Sequence, residues 1–133
     1  MIDSKNTEKS GCAGGRSPCP VACSLDLLGD KWTLLVVRDL LLGKTTYSEF
    51  QQSPEGIPTN ILAERLKRLL AAGIVEKSRY QERPVRYAYH LTEKGRDLWP
   101  VLSALVDWGN RHIPGTVPRE QIEAMAPWLS EGR

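Results

Sequence analysis

From Trp32 to Leu42 the chain is apolar almost without interruption: Trp32, Leu34, Leu35, Val36, Val37, Leu40, Leu41 and Leu42 leave no polar stripe for solvent. A helix that is apolar on all sides belongs at the centre of a small domain. A buried helix over residues 31–42 is therefore predicted, capped by Asp30 and stopped by Gly43. Before it, Pro20 suits a first helical position and Gly29 is expected to supply a left-handed end, which brackets a short helix over 20–28. After it, Thr46-Tyr47-Ser48-Glu49 has the spacing of a capping box, so a helix starts there. That helix is short, because Ser53-Pro54-Glu55-Gly56 is turn chemistry. A further helix is predicted over about residues 59–72, closed by Gly73. On a wheel of 100° per residue Leu62, Leu66, Leu69 and Leu70 share one face, and Asn60, Glu64 and Lys67 point away from it.

The period then changes from helical to two. Residues 74–80 read as a strand, and Val85, Tyr87, Tyr89 and Leu91 alternate with Arg86, Ala88 and His90 as a half-buried second strand. Residues 81–84 form the hairpin tip, where Pro84 holds Arg83 extended. Thr92 caps a long helix over roughly 93–112, with Pro100 inside it as an expected kink. Its apolar residues Leu98, Val101, Leu102, Leu105, Val106 and Trp108 spread over a wider arc than one core contact needs. A last short helix is expected from Pro118, interrupted by Pro127. The fold class is mainly α with a small β-hairpin, an α+β arrangement.

Composition bounds this picture. The chain has 133 residues, of which 41% are hydrophobic, enough for one compact domain. Residues 18–113 are assigned to that domain, 1–17 to a polar, Gly-rich arm and 114–133 to a tail. No apolar run approaches the ~20 residues of a membrane span, and no signal-peptide pattern is visible, so a cytoplasmic protein without membrane contact is expected. Net charge is only +2. Between Thr59 and His90, however, seven basic residues face three acidic ones, an excess of +4 that leaves −2 for the rest. Such a local excess is what phosphate neutralisation requires, although a solvated charged face would look the same. Three cysteines (Cys12, Cys19, Cys23) in a non-secreted chain do not describe a disulfide framework. With only His90 and His112 beside them they have no metal-ligand spacing, and neither metal nor cofactor is expected. There is no Gly-rich phosphate loop, no paired-carboxylate setting and no nucleophile with a nearby base, so an enzyme is not expected.

The order helix, buried helix, helix-turn-helix, hairpin, long helix is a winged-helix layout. Five ordered segments go further: Cys19-Pro20-Val21; Leu25-Asp26-Leu27-Leu28-Gly29-Asp30-Lys31-Trp32; Gly56-Ile57-Pro58-Thr59-Asn60-Ile61-Leu62; Ala72-Gly73-Ile74-Val75; and Tyr89-His90-Leu91-Thr92-Glu93-Lys94-Gly95. Together they closely resemble the HxlR-type transcriptional regulators, a dimeric branch of the MarR-like winged-helix proteins, over about residues 19–112. The resemblance implies a homodimer on a pseudo-palindromic double-stranded DNA operator. It places the helix at 59–72 in the major groove and the hairpin tip on the minor groove or backbone. The first and the long last helix would build the dimer. The arm has no counterpart in that pattern, the tail after Ile113 is variable among such proteins, and no effector is indicated.

Within this frame Thr59 and Asn60 stand in the first turn of the reading helix, where base edges are usually met. Asn can bond adenine bidentately, while Thr59 could equally be an N-terminal cap. Glu64 and Lys67 follow on the outward face and Arg68 on the flank of the leucine face, the two cations as phosphate ligands; Arg65 lies nearer the buried face and suits an intramolecular pair. Thr46 and Ser48 join the set at the start of the preceding helix. Arg83 at the wing tip suits the negative potential of a narrow minor groove, flanked by Lys77 and Arg86 as phosphate ligands. A winged helix used only for protein contacts would not need these cations on one side. Cys19 begins the first helix, where the macrodipole favours a thiolate, and some relatives sense oxidants or electrophiles at the matching position. It could as well be a small packing residue at the dimer interface. Cys23, one turn later, is either a resolving thiol or a buried structural cysteine.

Overall fold

The computed structural model of the chain describes residues 16–130. It divides into two compact units, Met1–Leu34 and Leu35–Arg133. In the first, α1 (Pro20–Leu28) starts with Cys19 as its N-cap and Pro20 at the head of the helix. Arg16 donates to Asp26 at 2.7 Å, and Ser17 Oγ accepts the Cys19 amide at 2.9 Å. Gly29 ends α1 but is right-handed (φ −79°, ψ −8°), not left-handed as expected. Its glycine identity has a different cause: a Cβ there would run into the Leu25 carbonyl. Asp30 does cap, accepting the amides of Trp32 and Thr33 at 2.8 and 2.9 Å. The regular helix α2 begins later than predicted and spans Thr33–Leu41.

In the second unit the buried apolar residues come from the first three helical segments, the base of the hairpin and residues 126–129. Val36, Val37, Leu40 and Leu41 of α2 are buried, while Leu34 and Leu35 are half-buried, so the helix is central but not enclosed on all sides. Phe50 of α3 (Tyr47–Gln51) and Leu62, Leu66 and Leu69 of α4 (Thr59–Ala71) join them. Gly43, Gly56 and Gly73 have φ of +101°, +69° and +75°, so the three reversals around the helix-turn-helix occupy a region that disfavours other residues. Strands β1 (Val75–Glu82) and β2 (Val85–Leu91) form one antiparallel hairpin. Only its base is buried, at Val75, Tyr89 and Leu91; the outer half is exposed on both faces, further than a half-buried pattern implies. The strands run on to Glu82, so the tip is Arg83-Pro84 alone, joined by a cis peptide. The register shifts between Arg79 and Gln81.

The predicted long helix is two. α5 (Glu93–Arg96) ends in a turn at Asp97 and Leu98, and α6 (Trp99–His112) restarts with Pro100 in its first turn. A proline needs no amide partner at that position, so it begins a helix here instead of kinking one. Thr92 Oγ1 accepts the Gly95 amide at 3.1 Å and donates to Gly73 O at 2.6 Å, tying α5 to the end of α4. Gly95 is buried, and a Cβ there would overlap the Ile74 carbonyl. Beyond α6 lie α7 (Arg119–Met125) and a 3₁₀ turn (Pro127–Ser130). The architecture is mainly helical with a two-stranded hairpin, the expected class. Among the described residues no helix is long and apolar enough to cross a membrane.

Candidate nucleic-acid interface

The capping box at α3 forms as its spacing predicts. Glu49 N donates to Thr46 Oγ1 at 3.4 Å, and Glu49 Oε1 accepts the amides of Thr45 and Thr46 at 2.8 and 3.1 Å. Those backbone donors, Thr45 first and then Thr46, hold the Glu49 carboxyl below its usual range. Thr46 is thus committed to the cap, while Ser48 beside it is exposed.

A charge network centred on a buried carboxylate sets the turn between α3 and α4. Asp39 is 4% exposed; it accepts from Arg38 Nε and Nη2 at 3.1 and 2.9 Å and from the Ser53 hydroxyl. Arg38 reaches across to Glu55 with two parallel bonds of 2.7 and 2.8 Å. Lys44 Nζ donates to Ser53 Oγ at 2.7 Å. The Glu55 carboxylate, and behind it Asp39, hold the Arg38 guanidinium charged well above its ordinary range, and Arg38 lowers Glu55 in return. This network escaped the sequence reading. Its one visible trace was an Arg-Asp pair inside an otherwise apolar helix.

On α4 the N-cap is Pro58, so Thr59 is the first helical residue and not the cap. Its hydroxyl accepts from Gln51 Nε2 at 3.1 Å, which links the two helices of the motif on their exposed side. Asn60, Glu64 and Lys67 are all exposed, one turn apart or nearly so, away from the buried Leu62, Leu66 and Leu69. Glu64 pairs with Arg65 and lies 3.6 Å from Arg68. Arg65 is therefore an intramolecular partner, as its position suggested, and Arg68 is partly neutralised. Among the described residues the side chains of Asn60 and Lys67 have no such partner.

The hairpin carries the remaining cations. Arg83 and Arg86 are exposed, and their guanidinium groups bond to none of the described residues. Lys77 lies 4.4 Å from the Tyr87 ring centroid, a cation–π contact that draws it onto the strand surface. Arg79 pairs with Glu82 at 3.4 Å. Between the start of α3 and the outer hairpin opens a groove of about 380 Å³, with Thr46, Ser48 and Gln51 on one side and Arg86, Tyr80 and Tyr87 on the other. Tyr80 is the extra residue of the bulge; an irregularity of this kind re-aims a side chain that alternation would send to the opposite face. The pairing pattern that creates it is not encoded locally.

Cys19 is exposed and is the free thiol among the described residues. The amides of Ala22 and then Val21 hold its pKa below the ordinary thiol value. Cys23 is not fully buried, as a purely structural cysteine would be. It is half-buried and disulfide-bonded, its sulfur 3.3 Å from Ser17 O. Three cysteines make no disulfide framework, yet Cys23 is bonded; Cys12 lies outside the described residues.

A helix-turn-helix with an exposed polar face on its second helix, followed by a basic hairpin, defines a winged helix-turn-helix fold. The particular family follows from comparison: residues 27–117 match the model of the HxlR-like helix-turn-helix, and the chain belongs to that family. An uncharacterized HTH-type transcriptional regulator of Mycobacterium bovis is 35% identical over 94 residues, 71% of this chain and 59% of that protein. The chain thus spans less than two thirds of that relative's length. YybR of Bacillus subtilis (strain 168), also an uncharacterized HTH-type transcriptional regulator, is 33% identical over 109 residues, 80% of this chain and 87% of YybR. Among solved structures, the redox regulator HypR in its oxidized form superposes with a TM-score of 0.64 at 34% identity, covering 71% of this chain and 97% of HypR.

Proposed function

We propose that the protein is a sequence-specific double-stranded DNA-binding regulator that acts as a homodimer on a pseudo-palindromic operator, in the cytoplasm and without catalytic activity. The observation that carries this is the set of unpartnered polar and cationic side chains on α4 and the hairpin. Asn60 and Lys67 on one, Arg83 and Arg86 on the other, are exposed and unneutralised within the described residues. α4 enters the major groove with Thr59 and Asn60 near base edges, and Lys67 and Arg68 meet phosphates. The hairpin tip reaches the minor groove or backbone through Arg83, with Lys77 and Arg86 on neighbouring phosphates; Thr46 and Ser48 approach the strand beside the groove. Supporting the dimer, Val101, Leu105 and Trp108 of α6 are 44%, 52% and 59% exposed at helical spacing, and Val21 and Leu25 of α1 are exposed as well. Apolar surface of this kind calls for a covering partner. Selection of duplexes from random sequence, followed by affinity measured against salt, tests the reading. A pseudo-palindromic consensus with half-sites about one helical turn apart and a steep salt slope is expected. Weak binding that does not depend on sequence overturns it, as does a monomer in sedimentation.

A second element of the proposal is thiol sensing at Cys19. An exposed thiol with a lowered pKa reacts faster at neutral pH, and the similar structure of HypR is that of a redox regulator. Diamide or peroxide treatment should change DNA affinity in the wild type and not in Cys19→Ser. Equal affinity in a wild type shown to be modified at Cys19 removes the sensor.

A further inference from the structure

The family match ends at residue 117, yet the chain that follows is firmly built into the second unit. Two anchors hold it. At the first, Arg119 in the opening turn of α7 grips α6. Its Nη2 donates to Ser103 O and Oγ at 2.8 and 2.7 Å, and its Nε to Asp107 at 2.9 Å. The guanidinium also lies 6.0 Å from the centroid of the Trp99 ring and donates to Glu123 at 3.1 Å. Asn110 completes the clasp, accepting the Arg119 amide at 3.0 Å and donating to Val117 O at 2.9 Å.

At the second anchor Trp128 Nε1 donates to Leu41 O at 3.0 Å. This carbonyl belongs to the last turn of α2, where helix geometry leaves acceptors unmatched. The indole edge lies 3.8 Å from where a Cβ of Gly43 would stand, and Gly43 is the left-handed residue that turns the chain toward α3. Ala126 and Leu129, on either side, are buried to 0% and 5% exposure. On its other flank the same connection is held to the hairpin, where Tyr89 N donates to Thr45 O at 2.8 Å. The segment therefore joins the helix with the exposed apolar face to the connection that launches the helix-turn-helix.

We propose that residues 118–130 are a positioning strap, in which Arg119 and Trp128 set the placement of the reading helix relative to α6 and thereby the half-site spacing the dimer accepts. The inference rests on the dimeric DNA-binding reading above. A dimer reads two half-sites at once, so tolerance in that placement becomes tolerance in spacing.

The test uses the full chain with Trp128→Phe, which keeps an aromatic side chain but removes the indole donor, and Arg119→Lys, which keeps the charge and removes the fork. Each is measured on the duplex recovered by selection with the wild type, and on versions with one or two base pairs inserted or removed between half-sites. The wild type should lose about tenfold or more on the altered duplexes, and the variants markedly less. Both variants should sediment as the wild type does and bind random duplex with an unchanged salt slope. Backbone amides of residues 42–44 should exchange with solvent faster in Trp128→Phe, because the last turn of α2 loses its cap. A folded variant with the wild-type spacing profile overturns the strap. A wild type with no selected sequence at all overturns the DNA reading instead, so the two failures are told apart.

Discussion

Replacing Asp39 should disable the turn of the helix-turn-helix before it disables anything else. In Asp39→Ala the Ser53 hydroxyl, on a residue 7% exposed, loses a carboxylate acceptor. A hydrogen bond to a charged group contributes about 1.5–3 kcal/mol. Arg38 loses its two bonds to Asp39, but its bidentate contact with Glu55 remains and its side chain is 30% exposed. Its charge is therefore not stranded, and the full cost of about 3–5 kcal/mol for breaking a buried pair does not apply; about 1 kcal/mol is the appropriate share. The sum is about 2.5–4 kcal/mol, or a fall in melting temperature of about 10 °C for a domain of this size. Urea denaturation read by circular dichroism gives the stability, and Ser53→Ala with the double variant gives the coupling. DNA affinity should fall with stability, because the network fixes the angle between α3 and α4. The reasoning fails if Asp39→Ala loses under about 1 kcal/mol, or if Ser53→Ala and Asp39→Ala prove additive.

Two further outcomes follow from the interface. Asn60→Ala should relax preference at one base position at a cost of about 1–3 kcal/mol, whereas Arg83→Ala should weaken all duplexes and reduce the salt slope by about one; equal losses for Asn60→Ala on selected and random duplex would take it off the base-reading face. The third concerns pH: Arg38 lowers the folded pKa of Glu55, so the pair's stabilisation is complete above the unfolded glutamate value of about 4.3 and is lost as pH falls through the lower folded value. Urea midpoints should therefore drop as pH falls below that range and drop less in Glu55→Gln; parallel curves would sever the link.

Much of this protein is written in local chemistry. The capping box at Thr46–Glu49, the left-handed glycines at 43, 56 and 73 and the leucine face of α4 depend on residues a few positions apart. Backbone sterics and helical period act at that range, so pattern alone located α4 and the wing and exposed Asn60, Lys67 and Arg83 as candidates. The tertiary structure decided the rest. Gly29 is glycine because a carbonyl stands over it, not because of its own φ. Pro100 begins a helix where the chain had already broken at Asp97 and Leu98. Glu64 stands on the outward face of α4 among several cations, and it pairs with Arg65 and Arg68 while Lys67 keeps no partner among the described residues. Tyr80 turns toward the groove because the strands pair out of register, and Trp128 finds Leu41 across 87 residues of chain. In each of these cases the deciding partner is remote or is chosen among several neighbours, and no period or spacing in one segment carries that choice.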